Sequence, residues 1–289
     1  MTAVIEAQGL GKRYRGRWAL RECTLSVPAG HVVGLVGPNG AGKTTLLNLA
    51  VGLLTPTTGS IQALGGRPGS SASQLARVGF VAQDAPAYAA LSVADHLRLG
   101  ARLNPAWDGD YAERRIAALG LDPAQRAGRL SGGQRAQLAL TMALGKRPDL
   151  LLLDEPVASL DPLARRELLD HLAEAVAERR TSVLLSSHLV ADLAQVCDYL
   201  IVLSAARVHA SGPIAELLSA HRSFALPGGA RLPEGWRGIS TEPAEGGGRT
   251  VVARAAAEPA PHEGSAIDLE ELVLAYLRQG RPEESEAVA

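Results

Sequence analysis

Eight residues, Gly37-Pro38-Asn39-Gly40-Ala41-Gly42-Lys43-Thr44, constrain this chain more than any other feature. They fit G-x-x-x-x-G-K-[ST]. The apolar run Val32 to Val36 before them reads as a buried strand, and Thr45 to Val51 after them reads as a helix. A strand, a glycine-rich turn and a helix N-terminus together aim backbone N–H groups into one concavity, where an anionic phosphate is favoured. Glycine leaves room for the phosphate to come close to the backbone. Lys43 can reach outer phosphates, and Thr44 can hold magnesium. A chain built on this unit is expected to be α/β, with a sheet covered by helices.

The rest of the pattern agrees. Leu150 to Leu153, Val183 to Leu185 and Leu200 to Leu203 are apolar runs without alternation, as suits a parallel sheet buried on both faces. Val4 to Ala7 and Leu20 to Val27 predict antiparallel strands ahead of that core. With 289 residues and 46% hydrophobic content, the chain can bury a large core. From Leu226 to Gly264 it turns rich in Pro, Gly, Ala and Glu, typical of a linker or small add-on; Ile267 to Leu277 then reads as a helix. This predicts a main domain over residues 1–220 and an accessory region over 221–289. The 29 basic and 30 acidic residues nearly cancel, which argues against a nucleic-acid partner. Cys23 and Cys197 cannot make a disulfide framework and read as small buried hydrophobes. No apolar run reaches the roughly 18–20 residues of a membrane span. The N-terminus lacks a basic-then-apolar signal pattern, so a chain neither secreted nor integral to a membrane is expected.

Further residues narrow the chemistry. The run Leu150 to Leu153 ends in Asp154-Glu155, and a strand end beside a phosphate loop is where a metal-binding Asp is wanted. Glu155 can then orient or deprotonate a water. No asparagine precedes a lysine, so the guanine-reading Asn-Lys-x-Asp of GTPases is missing. Leu130-Ser131-Gly132-Gly133-Gln134 opens an amphipathic stretch, placing a hydroxyl and free N–H groups at a second helix N-terminus.

Leu-Ser-Gly-Gly-Gln, set between a phosphate loop and a leucine-rich Asp-Glu-Pro strand, resembles the signature of ATP-binding cassette ATPases. The resemblance covers about Thr2 to Leu218. It implies a phosphate-loop NTPase core, an N-terminal antiparallel β subdomain, a helical insert over about 85–144 and a small C-terminal extension. It implies ATP held by Gly37, Pro38, Asn39, Gly40, Ala41, Gly42, Lys43, Thr44 and Thr45, with Mg2+ at Thr44, Gln83 and Asp154. Glu155, His188 and Gln83 would act at the γ-phosphate. Tyr14 resembles the aromatic that stacks on adenine, with Trp18 as a rival. Ser159-Leu160-Asp161 resembles the loop crossing the dimer interface, where Ser131, Gly132, Gly133, Gln134 and Asp161 of a second copy, or of a homologous subunit, complete the site. The other six histidines match nothing and read as surface residues. Met142 stands where many family members carry arginine, so a usual polar contact is missing there.

The family also implies an integral membrane permease as partner, placed against residues near Tyr88 to His96, and a position on the cytoplasmic face of the cell membrane. Leu103 to Asp108, Gly128-Arg129-Leu130 and Asp268 to Leu272 look like the drug and antibiotic exporter branch; an ordinary loop with a packing Trp and a docking helix reads equally well. Two other cassette classes fit less well. Translation-factor ATPases carry two cassettes, and this chain has one phosphate loop. Chromosome-maintenance ATPases need a long coiled coil between the motifs, and here Lys43 and Ser131 are 88 positions apart.

Overall fold

The computed structural model describes residues 2–84, 86–158, 160–179, 181–256 and 264–279. Ala85 and Ser159, at the expected start of the insert and in the expected interface loop, lie outside them. The chain opens with β1 (Ala3–Tyr14) and β2 (Arg17–Pro28), a hairpin whose turn residues Arg15 and Gly16 have φ of 44° and 90°. Left-handed turn residues match the right-handed strand twist. Then come β3 (Val32–Val36), α1 (Lys43–Val51), β4 (Thr58–Ala63), α2 (Ala72–Arg77) and β5 (Val78–Val81). The helices α3 (Val93–Leu103), α4 (Gly109–Ala118) and α5 (Gly132–Gly145) follow. The core resumes with β6 (Leu150–Asp154), α6 (Pro162–Arg179), β7 (Ser182–Ser187), α7 (Val190–Val196), β8 (Tyr199–Ser204), β9 (Arg207–Pro213) and α8 (Ile214–Ser219). The last elements are β10 (His221–Leu226), β11 (Trp236–Pro243), β12 (Arg249–Ala255) and α9 (Leu269–Gln279).

The central sheet runs β5-β6-β7-β3-β8-β9, parallel except for β9. Every residue of β3, β6 and β7 is buried, which is why their apolar runs show no alternation. Successive side chains still part to opposite faces. Leu35, Leu152 and Leu184 meet Leu46, Leu47 and Leu49 of α1 and the β1-β2-β4 sheet. Val36, Leu153 and Leu185 meet Leu140, Leu168, Leu172 and Leu193 from α5, α6 and α7.

Helices α3 to α5 form the insert and have a small core of their own, with Val93, Ile116, Leu121, Leu130 and Leu138. The Trp107 ring lies against Gly100 and Gly145, where a Cβ would meet it at 2.5 and 2.8 Å. Asp108 caps α4 by accepting the Tyr111 N–H and pairs with Arg147 at 2.8 Å. The segment Leu103 to Asp108 is thus a corner of packing and capping. Met142 meets the same corner: its Cε would stand 2.9 Å from a Cβ at Gly100.

Residues 226–256, whose composition suggested a linker or small add-on, form two strands of an ordered antiparallel sheet, β10-β12-β11. Phe224 and Trp236 pack edge-to-face at 5.1 Å within it, beside the buried Ala253. Helix α9 packs on β8, α7 and α8 and sinks Leu272, Val273 and Ala275 into the same core cluster as the central sheet. No helix among the described residues is long and apolar enough to cross a membrane.

His96 and His221 are buried, contrary to the expectation that the unmatched histidines lie at the surface. Each is held by its ring nitrogens. His221 Nδ1 is 2.6 Å from the Leu217 carbonyl, which can only accept, so Nδ1 carries the proton. Nε2 is then an acceptor for the Tyr276 hydroxyl at 2.8 Å, tying α8 to α9. Burial, joined by the nearby Arg254 charge, pushes the His221 pKa below its usual value of 6.5. The unfolded chain therefore binds this proton more readily, so stability is fully present above about pH 6.5 and falls as pH drops toward the lower folded value. We expect urea midpoints at pH 5.5 and 7.5 to differ more for the native chain than for His221→Gln. Equal pH dependence in the two would remove His221 from the α9 docking argument.

Candidate nucleotide site

The glycines of the loop are required by the protein before any ligand is considered. A Cβ at Gly37 would stand 2.0 Å from the Leu203 carbonyl oxygen at the end of β8. Gly42, with φ of 109°, would set its Cβ 2.3 Å from the Ala19 carbonyl oxygen of β2. The loop is therefore clamped between β8 and the antiparallel sheet. Its N–H groups stay aligned at the N-terminus of α1. Lys43, the first residue of α1, is 5% exposed. Its ammonium donates to the Gly37 carbonyl at 2.7 Å and lies 3.2 Å from Glu155 Oε1.

Glu155 follows directly on β6 and takes a left-handed backbone, φ 46°, which is uncommon for a residue with a side chain. Its second oxygen, Oε2, accepts from His188 Nδ1 at 3.0 Å. One buried carboxylate thus joins the phosphate-loop lysine to the histidine after β7. His188 remains half exposed, so Nε2 has access to solvent while Nδ1 holds the glutamate. Asp154, 1% exposed, ends β6 in register with Ser186 of β7. Lys43, Asp154, Glu155 and His188, drawn from distant parts of the sequence, converge at the carboxyl ends of parallel strands. That is where ligands bind in open α/β sheets.

Other expected residues stand apart from this cluster. Gln83 lies exposed in the turn after β5 and makes no hydrogen bond among the described residues. Thr44 and Thr45 start α1, with Thr44 exposed. Tyr14, at the hairpin tip, is 43% exposed, and the Lys12 ammonium sits 5.4 Å from its ring centre. Trp18 is partly buried across Gly11 and carries the Arg13 guanidinium at 5.5 Å. The signature begins α5 as a capping box: Ser131 Oγ accepts the Gln134 N–H at 3.2 Å, and Gln134 Oε1 accepts the Ser131 N–H at 2.9 Å. This leaves the Ser131 hydroxyl hydrogen and the Gly132 and Gly133 N–H groups for a ligand. Asp161 caps α6, accepting from the Leu163 and Ala164 N–H groups, each at 3.0 Å.

Two features escaped the sequence reading. Ser186 Oγ donates to Asp154 Oδ1 at 2.7 Å and accepts the Glu155 N–H at 2.9 Å. Asp192, four residues past His188 on α7, is 4% exposed beside Arg165 at 3.6 Å. Burial raises the Asp192 pKa, opposed by the Arg165 and His188 charges. The signal for Ser186 was a polar pair, Ser186-Ser187, closing an otherwise apolar strand; for Asp192 it was an acid in the first turn of the helix that follows His188.

A family model described as ABC transporter matches residues 20–158. The uncharacterized ABC transporter ATP-binding protein YxlF of Bacillus subtilis (strain 168) is 34% identical over 242 residues, covering 81% of this chain and 79% of that protein. The Nod factor export ATP-binding protein I of Cupriavidus pinatubonensis is 36% identical over 226 residues, or 75% and 69% of the two chains. The aliphatic sulfonates import ATP-binding protein SsuB of Escherichia coli (strain K12) is 39% identical over 203 residues, or 69% and 76%. Among solved structures, an ATP binding subunit of an ABC transporter superposes with a TM-score of 0.67 at 28% identity, covering 74% of this chain and 91% of that one. With its lysine, paired acids and histidine assembled at one strand edge, the chain belongs to the ATP-binding subunits of ABC transporters and is an ATPase.

Proposed function

We propose that the chain hydrolyses ATP in a site completed by a second copy, or by a homologous subunit, and passes the resulting motion to a separate membrane permease. The Lys43–Glu155–His188 chain carries this reading. A phosphate that takes the Lys43 ammonium releases Glu155 Oε1 to hold an attacking water, while His188 keeps the carboxylate aimed. Ser131 and the free N–H groups of α5 form a second anion-binding end on the insert. In this reading the signature would serve another subunit's nucleotide. Asp161 caps α6 next to Leu160, whose Cδ2 would stand 3.2 Å from a Cβ at Gly133, and Tyr14 offers an open ring to adenine.

The residues present fit Mg2+. Among the described residues no three His, Cys, Asp or Glu side chains form a cage. Asp154 gives one buried carboxylate whose Oδ1 is already hydrogen-bonded. A hard cation bound through one carboxylate, a hydroxyl such as Thr44 and phosphate oxygens is typical of magnesium with a nucleotide. Asp154 and Thr44 would hold it, with Gln83 as the further expected ligand. Bound there, the ion would neutralise charge on the phosphate oxygens.

Beside Gln83, a groove of about 950 Å³ separates the core from the insert. Leu53, Leu75, Tyr88 and Leu103 line it and stay exposed, and Leu138 and Met142 lie among its lining. His96 fixes one wall by accepting the Tyr88 N–H at 3.2 Å. An apolar trough of this kind suits a short helix of a membrane partner, which would hold the subunit at the inner, cytoplasmic face of the membrane. Export is the direction we propose, from the exporter-like segments at Leu103 to Asp108 and Gly128 to Leu130 and the Nod factor export relative. The import relative SsuB matches at similar identity, so transport assays with the permease decide the direction.

Lys43→Ala should abolish ATP binding. It should also destabilise the fold, by less than the roughly 3–5 kcal/mol of a fully unpaired buried charge, because it leaves buried Glu155 with His188 as its remaining partner. Adding Glu155→Gln should restore part of the thermal stability but not the binding. Unchanged ATP affinity in Lys43→Ala would remove the phosphate-loop assignment.

Glu155→Gln alone keeps size and loses the base, so turnover should fall about 10²–10⁴-fold while ATP remains bound. Light scattering should then show a monomer without nucleotide and a dimer with ATP and magnesium. Ser131→Arg in that background should return it to a monomer. A Glu155→Gln protein that binds ATP tightly yet stays monomeric at high concentration would rule out the two-subunit site.

A further inference from the structure

We infer that Ser186 is a positioning residue that sets the metal-facing orientation of Asp154 and the backbone of Glu155 through one hydroxyl. The inference rests on the reading above, in which Asp154 holds the cation and Glu155 acts on water. Parallel pairing puts Ser186 directly opposite Asp154. The side chain is fully buried, so no solvent competes for its hydroxyl. A hydroxyl has one hydrogen to donate and lone pairs to accept with. Ser186 uses both functions: its hydrogen goes to Asp154 Oδ1 at 2.7 Å, and its oxygen takes the Glu155 N–H at 2.9 Å. With Oδ1 held, the carboxylate cannot rotate freely, and Oδ2 is the oxygen left to face a cation. The second bond anchors the peptide that enters the left-handed turn at Glu155. One atom therefore fixes the spacing of two carboxylates that must serve different partners.

Alanine at this position would leave Asp154 Oδ1 and the Glu155 N–H buried without partners. Threonine keeps the hydroxyl and suits a strand. A merely structural serine would affect folding yield and thermal stability alone, whereas a positioning serine also changes metal affinity. The test compares the native protein, Ser186→Ala and Ser186→Thr. The readouts are binding of a non-hydrolysable ATP analogue in EDTA, binding of Mn2+ in the presence of that analogue by electron paramagnetic resonance, and turnover per nucleotide-binding site.

For Ser186→Ala we expect analogue binding in EDTA to stay within about twofold, Mn2+ binding to weaken about tenfold and turnover to fall about 10²-fold, as a small misplacement of catalytic groups does. Ser186→Thr should recover most of the Mn2+ affinity. If Ser186→Ala does not fold, Ser186→Cys, somewhat larger and a weaker donor, gives the same comparison. Native Mn2+ affinity and native turnover per site in the folded variant would overturn the positioning role while leaving the metal reading intact. Failure of the native protein itself to bind Mn2+ with the analogue would overturn the metal reading, and the role of Ser186 with it.

Discussion

Parallel pairing of β3 with β7 and of β7 with β6 levels the ends of three strands, and every part of the site depends on that alignment. Val36 pairs with Ser187, and Asp154 with Ser186, so the loops that leave these strands start from one edge. The phosphate loop, the paired acids and the histidine come from distant sequence positions and still meet. No local preference could bring them together; the register does. The strands themselves are held in place by burial of every residue on both faces.

The cluster formed at that edge is unusual in its charge accounting. Lys43 and Glu155 are both nearly excluded from solvent, a placement that costs desolvation unless each charge is paired and hydrogen-bonded. The lysine has a carbonyl and a carboxylate; the glutamate has the lysine and His188. The pairing is therefore exchangeable. A phosphate is a stronger partner for the ammonium than a carboxylate already shared with histidine. On the proposed reading, the Lys43–Glu155 contact is the one a nucleotide would replace.

Much of this was legible in the sequence, for reasons that can be stated residue by residue. The strands at Val32, Leu150, Val183 and Leu200 stood out because a doubly covered parallel sheet demands unbroken apolar runs. The motif residues stood out because phosphate binding needs glycines, a lysine and a helix start in fixed order. What stayed hidden depends on partners that spacing does not reveal. Gly37 and Gly42 are required by carbonyls of β8 and β2, far away in sequence. Ser131 and Asp161 also cap helices, and Ser186 acquires its importance only when Asp154 lies beside it. The third sheet was hidden by its composition: Pro and Gly supply its turns, and its own core is little more than Phe224, Trp236 and Ala253.

The three tryptophans fall one each in the antiparallel sheet, the helical insert and the C-terminal sheet. Trp18 belongs to the antiparallel sheet near the hairpin tip, Trp107 to the corner of the helical insert, and Trp236 to the C-terminal sheet. Their surroundings differ as well: a guanidinium over the first, two glycines under the second and a phenylalanine edge against the third. The chain is thereby furnished with three intrinsic fluorophores in three different parts of the fold. Proteins retaining a single tryptophan would report on the antiparallel sheet, the helical insert and the C-terminal sheet as separate optical signals, with no dye attached.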